Sequence, residues 1–159
     1  HEKLYQSSNL SEIDFSSYLK TITEDLAGNY AVIRQRPQIS IDVEETALGI
    51  DQAIPCGLIV NELITNALKY AFTDGAADNR LSIMLRKDDA GMITIRVSDN
   101  GPGLPAGIDI EKTQTLGLQL VSLLTRQIRG TRRLDREGGT AWTITFPEHS
   151  VSLKGKTSA

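Results

Sequence analysis

A long apolar segment, IPCGLIVNELITNALKYAF at residues 54–72, constrains the fold more than any other part of this sequence. Its apolar residues fall on most sides of a helix, which is typical of a helix covered by other elements. We therefore predict a central buried helix over roughly residues 52–71. Asp51 is predicted to cap it, and Pro55 to lie in its first turn, where a missing N–H leaves no hydrogen bond unmade.

The periodicity of the remaining segments predicts both helices and strands. Apolar residues recur every three or four positions from Phe15 to Tyr30, which predicts an amphipathic helix with Asp14 as its N-cap. A second amphipathic pattern, TLGLQLVSLLTRQIRG, predicts a helix that ends at Gly130. Strands are predicted from alternating apolar and polar residues in QISIDV, RLSIMLRK, MITIRVSD, RRLDRE and TAWTITF.

The order of these elements predicts the fold class. Helix, strand, helix, two strands, loop, helix and two strands favour an α/β (α+β) two-layer sandwich, with about three helices on one face of a mixed, mostly antiparallel sheet. The paired hairpins argue against a doubly wound fold. We expect residues 1–10 to be a linker or the end of an upstream helix, 11–148 to form one domain, and 149–159 to be a disordered tail.

Composition excludes several classes of function. The chain has 159 residues and a net charge of -3, and it lacks the basic block typical of nucleic-acid binders. Its only cysteine, Cys56, predicts no intramolecular disulfide and a reducing, cytoplasmic setting. No uninterrupted apolar run reaches the roughly 18 residues of a membrane span. The absence of a starting Met predicts a fragment of a larger protein, either soluble or anchored to a membrane elsewhere.

The buried helix carries the first candidate site, in NELITNALKY. Glu62 and Asn66 are four residues apart and therefore share one helix face, and Lys69 and Tyr70 lie a turn further on. A carboxylate and an amide on a buried helix each need a partner. Mg²⁺ with its ordered waters would satisfy both. The alternative is that neighbouring backbone groups satisfy these two side chains.

The second candidate is the segment SDNGPG. Asp99 ends a predicted strand, where its carboxylate can accept a hydrogen bond from an exocyclic amine such as that of adenine. Gly101 and Gly103 allow the backbone to bend tightly or to approach a ligand. The alternative is an ordinary turn, since the same residue types are common there.

The third candidate is TLGLQLV, in which Gly117 stands at the start of a helix. The free N–H groups at that end suit a phosphate. The alternative is a glycine that serves only close helix packing. The chain has no GxxxxGK[ST] loop and no HRD or DFG segments, so it matches neither P-loop NTPases nor protein kinases of the eukaryotic type.

Taken in order, these segments resemble the histidine kinase/gyrase/Hsp90/MutL-type ATP-binding superfamily. NELITNALKY is similar to its N box, DNGPG to its G1 box, TLGLQLV to its G2 box and GGTAWTITF to its final Gly-Thr strand. The sequence of the N box resembles that of the HWE-related branch of sensor histidine kinases. The segment HEKLYQS resembles that branch's junction after the dimerisation helices.

The resemblance implies contacts at the adenine end of a bound ATP. Asp99 would accept a hydrogen bond from the adenine amine, and Gly101 and Gly103 would let the backbone come close. Tyr70 would pack near the nucleotide and supply aromatic area. Thr140 would hydrogen-bond near the adenine, directly or through water.

The resemblance also implies contacts at the phosphate end. Asn66 would bind Mg²⁺, and Lys69 would touch the phosphates. Lys112, the only cation between the G1 and G2 boxes, would add to their coverage. Gly117 and Leu118 would start the helix behind the phosphates.

Glu62 has two possible roles by this resemblance. In the ATPase members of the superfamily the matching Glu activates water. A histidine acceptor is already neutral at pH 7 and needs little help in losing a proton. We therefore favour Glu62 as an orienting or Mg-linked catalytic group over an obligatory base.

The function that the resemblance implies is that of a sensor histidine kinase catalytic domain. It would bind Mg-ATP and pass the γ-phosphate to a histidine on an upstream dimerisation domain, in a homodimeric parent that serves a response regulator. His1 and His149 lack the helical context of an acceptor, and the loop at 104–116 is shorter than many kinase lids. The alternatives are an anti-sigma-type serine kinase or regulatory binding module on the same fold, or a gyrase- or MutL-type ATPase.

Overall fold

The computed structural model describes residues 12–31, 36–72, 78–102 and 116–148. Within these ranges the chain forms three helices and seven strands. In chain order the elements are β1 (Glu12–Asp14), α1 (Phe15–Ala31), β2 (Gln38–Val43), β3 (Ala47–Gly49), α2 (Ile50–Tyr70), β4 (Arg80–Lys87), β5 (Met92–Asp99), α3 (Leu116–Gln127), β6 (Thr131–Asp135) and β7 (Thr140–Pro147).

Five of the strands form one sheet in the order β2-β4-β5-β7-β6. Strands β2 and β4 are parallel, whereas β4–β5, β5–β7 and β7–β6 are antiparallel. The short strands β1 and β3 pair antiparallel in a separate two-stranded sheet, which the sequence pattern did not predict. The predicted α/β two-layer sandwich with a mixed, mostly antiparallel sheet and three helices is confirmed.

The hydrophobic core lies between the sheet and the helices. Alternate residues of the strands are buried, as the pleat of a half-covered sheet requires. The central helix α2 contributes more buried residues than any other described element, which confirms the prediction of a central buried helix. Fully buried core side chains include Ile59, Leu63, Ile64, Leu81, Ile83, Leu85, Ile93, Ile95, Ile144 and Phe146.

Helix α1 starts as its sequence predicts. The Oδ1 atom of Asp14 accepts a hydrogen bond from the backbone N–H of Ser17 at 3.1 Å, which is N-capping geometry. The hydroxyls of Ser16 and Ser17 also donate to the Asp14 carboxylate. The hydrogen bond from the Ser16 side chain, followed by those from Ser17, lowers the pKa of Asp14.

The predicted start of α2 is wrong by two residues. The helix begins at Ile50, so Gly49 occupies the N-cap position and no side chain caps the helix. Asp51 lies instead within the first turn, where its charge is favourable to the helix dipole. Pro55 is therefore inside the helix and not in its first turn. The displacement arises because β3 runs directly into α2 at Gly49.

The end of α3 also differs from the prediction. The helix stops at Gln127, and the left-handed residue that follows it is Arg129, with φ of 59°, and not Gly130. The N–H of Gly130 donates to the carbonyl of Thr125 at 2.8 Å, which satisfies one of the last carbonyls of the helix. No described helix is both long enough and apolar enough to cross a membrane. The predicted linker at 1–10 and tail at 149–159 lie outside the described residues.

Candidate nucleotide site

Asp99 is the last residue of β5, the middle strand of the five-stranded sheet. Its register places it between Leu81 of β4 and Thr140 of β7. The Oδ1 atom of Asp99 accepts hydrogen bonds from the backbone N–H groups of Gly101, at 3.0 Å, and Thr140, at 3.2 Å. The carboxylate is therefore fixed from two sides by the main chain.

The environment of the Asp99 carboxylate suits a ligand that donates a hydrogen bond. Burial raises the pKa of this carboxyl group, and the N–H groups of Gly101 and Thr140 oppose that rise. Both of these bonds go to Oδ1, and no described residue donates to Oδ2. A half-buried carboxylate oxygen without a donor is unfavourable unless a ligand or water supplies one.

Two glycines around Asp99 permit backbone approaches that no side chain would allow. A Cβ atom at Gly101 would lie 2.0 Å from the carbonyl oxygen of Ala71, the residue after α2. A Cβ atom at Gly139 would lie 2.0 Å from the carbonyl oxygen of Asp99, and Gly139 has φ of 136°, where glycine is favoured. These contacts join the end of α2 and the start of β7 to the strand end that carries Asp99.

Glu62 lies at the opposite end of the N box, against the start of α3. A Cβ atom at Gly117 would lie 2.2 Å from Oε2 of Glu62. The Glu62 side chain is half-buried and has no hydrogen-bond or ion-pair partner among the described residues. The structure thus brings the predicted N-box carboxylate and the G2-box glycine into direct contact.

The other N-box residues continue along α2 from Glu62 towards Asp99. Asn66 is half-buried, one turn further along, and its side chain has no partner in the described part of the chain. Lys69 is exposed, and Tyr70 keeps 70% of its surface exposed. Since Ala71 then touches Gly101, the last three turns of α2 connect the start of α3 to the end of β5.

Some predicted site residues cannot be placed in this geometry. Gly103, Lys112 and most of the short loop between the G1 and G2 boxes lie outside the described residues. Leu118 is in the first turn of α3 and packs partly buried against the core. The roles of these residues, and the nucleotide contact of Tyr70, stay predictions.

Three contributors to the site were missed or only half recognised in the sequence. Asn100 ties the ends of β4 and β5 together: its Oδ1 accepts from the N–H of Arg80 at 2.7 Å, and its amide donates to the carbonyl of Asp78. Gly139 belongs to the segment GGTAWTITF that resembles the final Gly-Thr strand, and its contact with Asp99 was not expected. The pair of adjacent glycines is the signal that was available. The third contributor, the main-chain carbonyl of Ala71, could not be recognised from any side chain in the sequence.

The described residues fit the chemistry of Mg-ATP. Two oxygen-bearing side chains without partners, those of Glu62 and Asn66, lie on one helix face. No group of three or more metal-ligating side chains occurs among the described residues. Mg²⁺ takes one or two protein ligands and completes its shell with waters and phosphate oxygens, so the oxygens of Glu62 and Asn66 are chemically suited to it. The Oδ2 atom of Asp99 is a separate hydrogen-bond acceptor, to which no described residue donates.

A comparison with protein families decides where this arrangement belongs. Residues 51–150 match the family described as "Histidine kinase-, DNA gyrase B-, and HSP90-like ATPase". The chain belongs to this family. Membership of an ATPase family implies an ATP-binding domain, and it confirms the resemblance of this chain to the superfamily.

Several curated proteins that are similar to this chain are histidine kinases. The sensor histidine kinase PdtaS of Mycobacterium tuberculosis is 34% identical over 103 residues, which is 63% of this chain and 20% of that protein. The blue-light-activated histidine kinase 2 of Erythrobacter litoralis is 27% identical over 139 residues, 85% of this chain and 38% of that protein. The chain thus spans a minor part of the length of these relatives.

Solved structures of histidine kinases share the fold. The histidine kinase domain of an Erythrobacter litoralis blue-light-activated kinase superposes with a TM-score of 0.78 at 23% identity, covering 87% of this chain and 63% of that one. Full-length ShkA in complex with AMPPNP superposes with a TM-score of 0.67 at 18% identity, covering 86% of this chain and 30% of that one. At these sequence identities the structural similarity establishes a shared fold and nothing further.

Proposed function

We propose that this domain binds Mg-ATP and transfers its γ-phosphate to a histidine on a dimerisation domain that precedes it in the parent protein. The observation that carries the proposal is the convergence of the N, G1 and G2 boxes through direct contacts. Gly101 contacts Ala71, and Gly117 contacts Glu62. The similarity to sensor histidine kinases, to a blue-light-activated histidine kinase and to the sensor protein LytS supports it.

At the adenine end, Asp99 would select the base. Oδ1 is held by the N–H groups of Gly101 and Thr140, so Oδ2 would accept the hydrogen bond from the exocyclic amine of adenine. A guanine presents a carbonyl oxygen at the corresponding position, and its lone pairs would face the carboxylate. Tyr70, already exposed beside this region, would contribute aromatic area against the nucleotide.

At the phosphate end, Asn66 and Glu62 would hold the metal, Lys69 and Lys112 would contact phosphate oxygens, and Gly117 would allow the chain to pass close behind them. Bound Mg²⁺ would neutralise phosphate charge during transfer. An imidazole nitrogen of the acceptor attacks the γ-phosphorus, a P–N bond forms, the bond to the β-phosphate bridging oxygen breaks, and ADP leaves. The protein's contribution is mainly to hold these groups in line.

The parent protein is proposed to be a cytoplasmic-facing homodimer that passes the phosphoryl group on to a response regulator. The acceptor helix pair would lie upstream of residue 11. Full-length ShkA, which shares the fold, was solved in complex with AMPPNP, and this supports nucleotide binding as a function of the fold.

Calorimetric titration of this chain with Mg-AMPPNP tests the nucleotide half of the proposal, with Mg-GMPPNP as the matched control. We expect binding of the adenine analogue and much weaker binding of the guanine analogue. Absence of binding at millimolar ligand would overturn the proposal. In the parent protein, radiolabelled phosphate from ATP should form an acid-labile adduct, as expected of phosphohistidine. An acid-stable adduct would instead favour transfer to a hydroxyl group, as in a serine kinase.

A further inference from the structure

We propose that Gly117 is a positioning residue for Glu62: the missing side chain leaves the space in which the Glu62 carboxylate lies against the first turn of α3. The inference rests on the proposed function, because the position of Glu62 affects nucleotide binding only if ATP occupies this site. It assigns Gly117 a role towards a protein side chain, in addition to close approach by a phosphate.

The contact involves the whole carboxylate group. A Cβ atom at position 117 would lie 2.2 Å from Oε2, 2.5 Å from Cδ and 3.0 Å from Oε1 of Glu62. Cβ atoms essentially never lie closer than 3.0 Å to another heavy atom, so the flexible end of the Glu62 side chain must shift, which costs little energy. At Gly101 and Gly139 the atoms that would clash belong to main-chain carbonyls. At Gly117 they belong to one ionisable side chain, and that side chain can be changed separately.

The Glu62 side chain has little else to fix its position. Its neighbours in sequence, Leu63 and Ile64, are 2% and 0% exposed, so the backbone of α2 is held firmly in the core. The carboxylate itself has no hydrogen-bond or ion-pair partner in the part of the chain that the structure describes. Its location is therefore set mainly by packing against α3, and a methyl group at position 117 would displace it.

The displacement would matter because of charge. The Glu62 carboxylate lies at the start of α3, where the helix dipole favours an anion. The same helix end is proposed to lie behind the ATP phosphates. A carboxylate and a triphosphate placed close together repel each other unless a divalent cation lies between them. The position of Glu62 should thus determine how strongly ATP binding depends on Mg²⁺.

The test is the ratio of the affinities for ATP with Mg²⁺ and with EDTA, measured by calorimetry for a double-mutant cycle. We expect Gly117→Ala to lower this ratio about fivefold or more, within the range for residues in direct contact. Glu62→Ala should lower it as well. Once Glu62 is truncated, Gly117→Ala should have little further effect, because the clashing atoms are gone. Independent, additive effects in this cycle would overturn the inference.

A conservative rescue separates positioning from general damage. Aspartate is shorter than glutamate by one methylene group, so Glu62→Asp should make room for the methyl group and recover part of the ratio in the Gly117→Ala background. If the Gly117→Ala variant does not fold, the double variant with Glu62→Ala and Gly117→Ala should fold, because the clashing carboxylate is gone. A double variant that also fails to fold would contradict the proposed contact. If the unmodified chain binds no ATP, the proposed function fails, whereas binding with an additive cycle removes only the role of Gly117.

Discussion

The substitution Asp99→Asn removes the charge from the proposed adenine end of the site and leaves the local hydrogen bonds in place. The asparagine Oδ1 can still accept from the N–H groups of Gly101 and Thr140, which bond Oδ1 in the native chain. The second oxygen becomes an NH₂ group, which donates and would therefore face the donating adenine amine. A hydrogen bond to a charged group contributes about 1.5–3 kcal/mol, so we expect affinity for ATP to fall about 10- to 150-fold.

The same substitution should not destabilise the empty domain. Burial raises the pKa of Asp99, so the folded state binds a proton there more tightly than the unfolded chain does. The free energy of unfolding therefore decreases as the pH rises through the range between the unfolded and folded pKa values, and the penalty is fully present above it. Asparagine removes that penalty at neutral pH. Thermal unfolding should consequently show an unchanged or slightly raised midpoint for the variant without nucleotide.

The assay is calorimetric titration with the adenine and guanine analogues, combined with thermal unfolding. Asp135→Asn is a matched control, because Asp135 also ends a strand and accepts a backbone N–H, that of Glu137, at 3.0 Å. It should leave nucleotide binding unchanged. The reasoning is refuted if Asp99→Asn keeps both its affinity and its preference for adenine. An equal loss for both bases would also contradict it.

Three further outcomes are expected. Gly101→Ala should weaken ATP binding, measured by calorimetry, and lower the free energy of unfolding by about 1–3 kcal/mol, measured by chemical denaturation. The reason is that the new methyl group would clash with the carbonyl of Ala71. Gly28→Ala, within α1 and with open space around its Cβ position, should instead raise the free energy of unfolding by about 0.5–1 kcal/mol in the same denaturation assay and leave binding unchanged. Affinity for ATP should fall as the pH is lowered into the upward-shifted titration range of Asp99, and titrations at several mildly acidic pH values should show no matching decrease for the Asp99→Asn variant.

Much of the fold follows from periodicity in the sequence. The strands β2, β4 and β5 have the predicted bounds, since each has an apolar residue at every second position. The limits of α2 were missed, because Asp51 is a favourable cap by residue type and only the pairing of β3 with β1 shows that the helix already begins at Ile50. A three-residue strand has too few alternations to be recognised.

The candidate site was predictable to the extent that its residues have distinctive side chains. Asp99 and Glu62 were identified as polar groups that an ordinary core would exclude, and the structure places both at contacts between the predicted boxes. The close approaches of Gly101 to Ala71 and of Gly139 to Asp99 could not be predicted, because main-chain atoms make these contacts. Such approaches depend on how α2, β5 and β7 pack together, and no residue type in the sequence indicates them.

Strand β5 is hydrogen-bonded to a neighbour along both of its edges, by β4 and by β7. Freeing the backbone of Asp99 through local opening would require one of those neighbours to separate as well, and central elements of this kind open only near global unfolding. Amide hydrogens around Asp99 should therefore exchange among the slowest in the molecule. The Asp99 carboxylate would remain ordered during partial unfolding that frees the helix termini. If Asp99 recognises the purine as proposed, base selectivity would survive such partial unfolding even when the proposed phosphate contacts are lost.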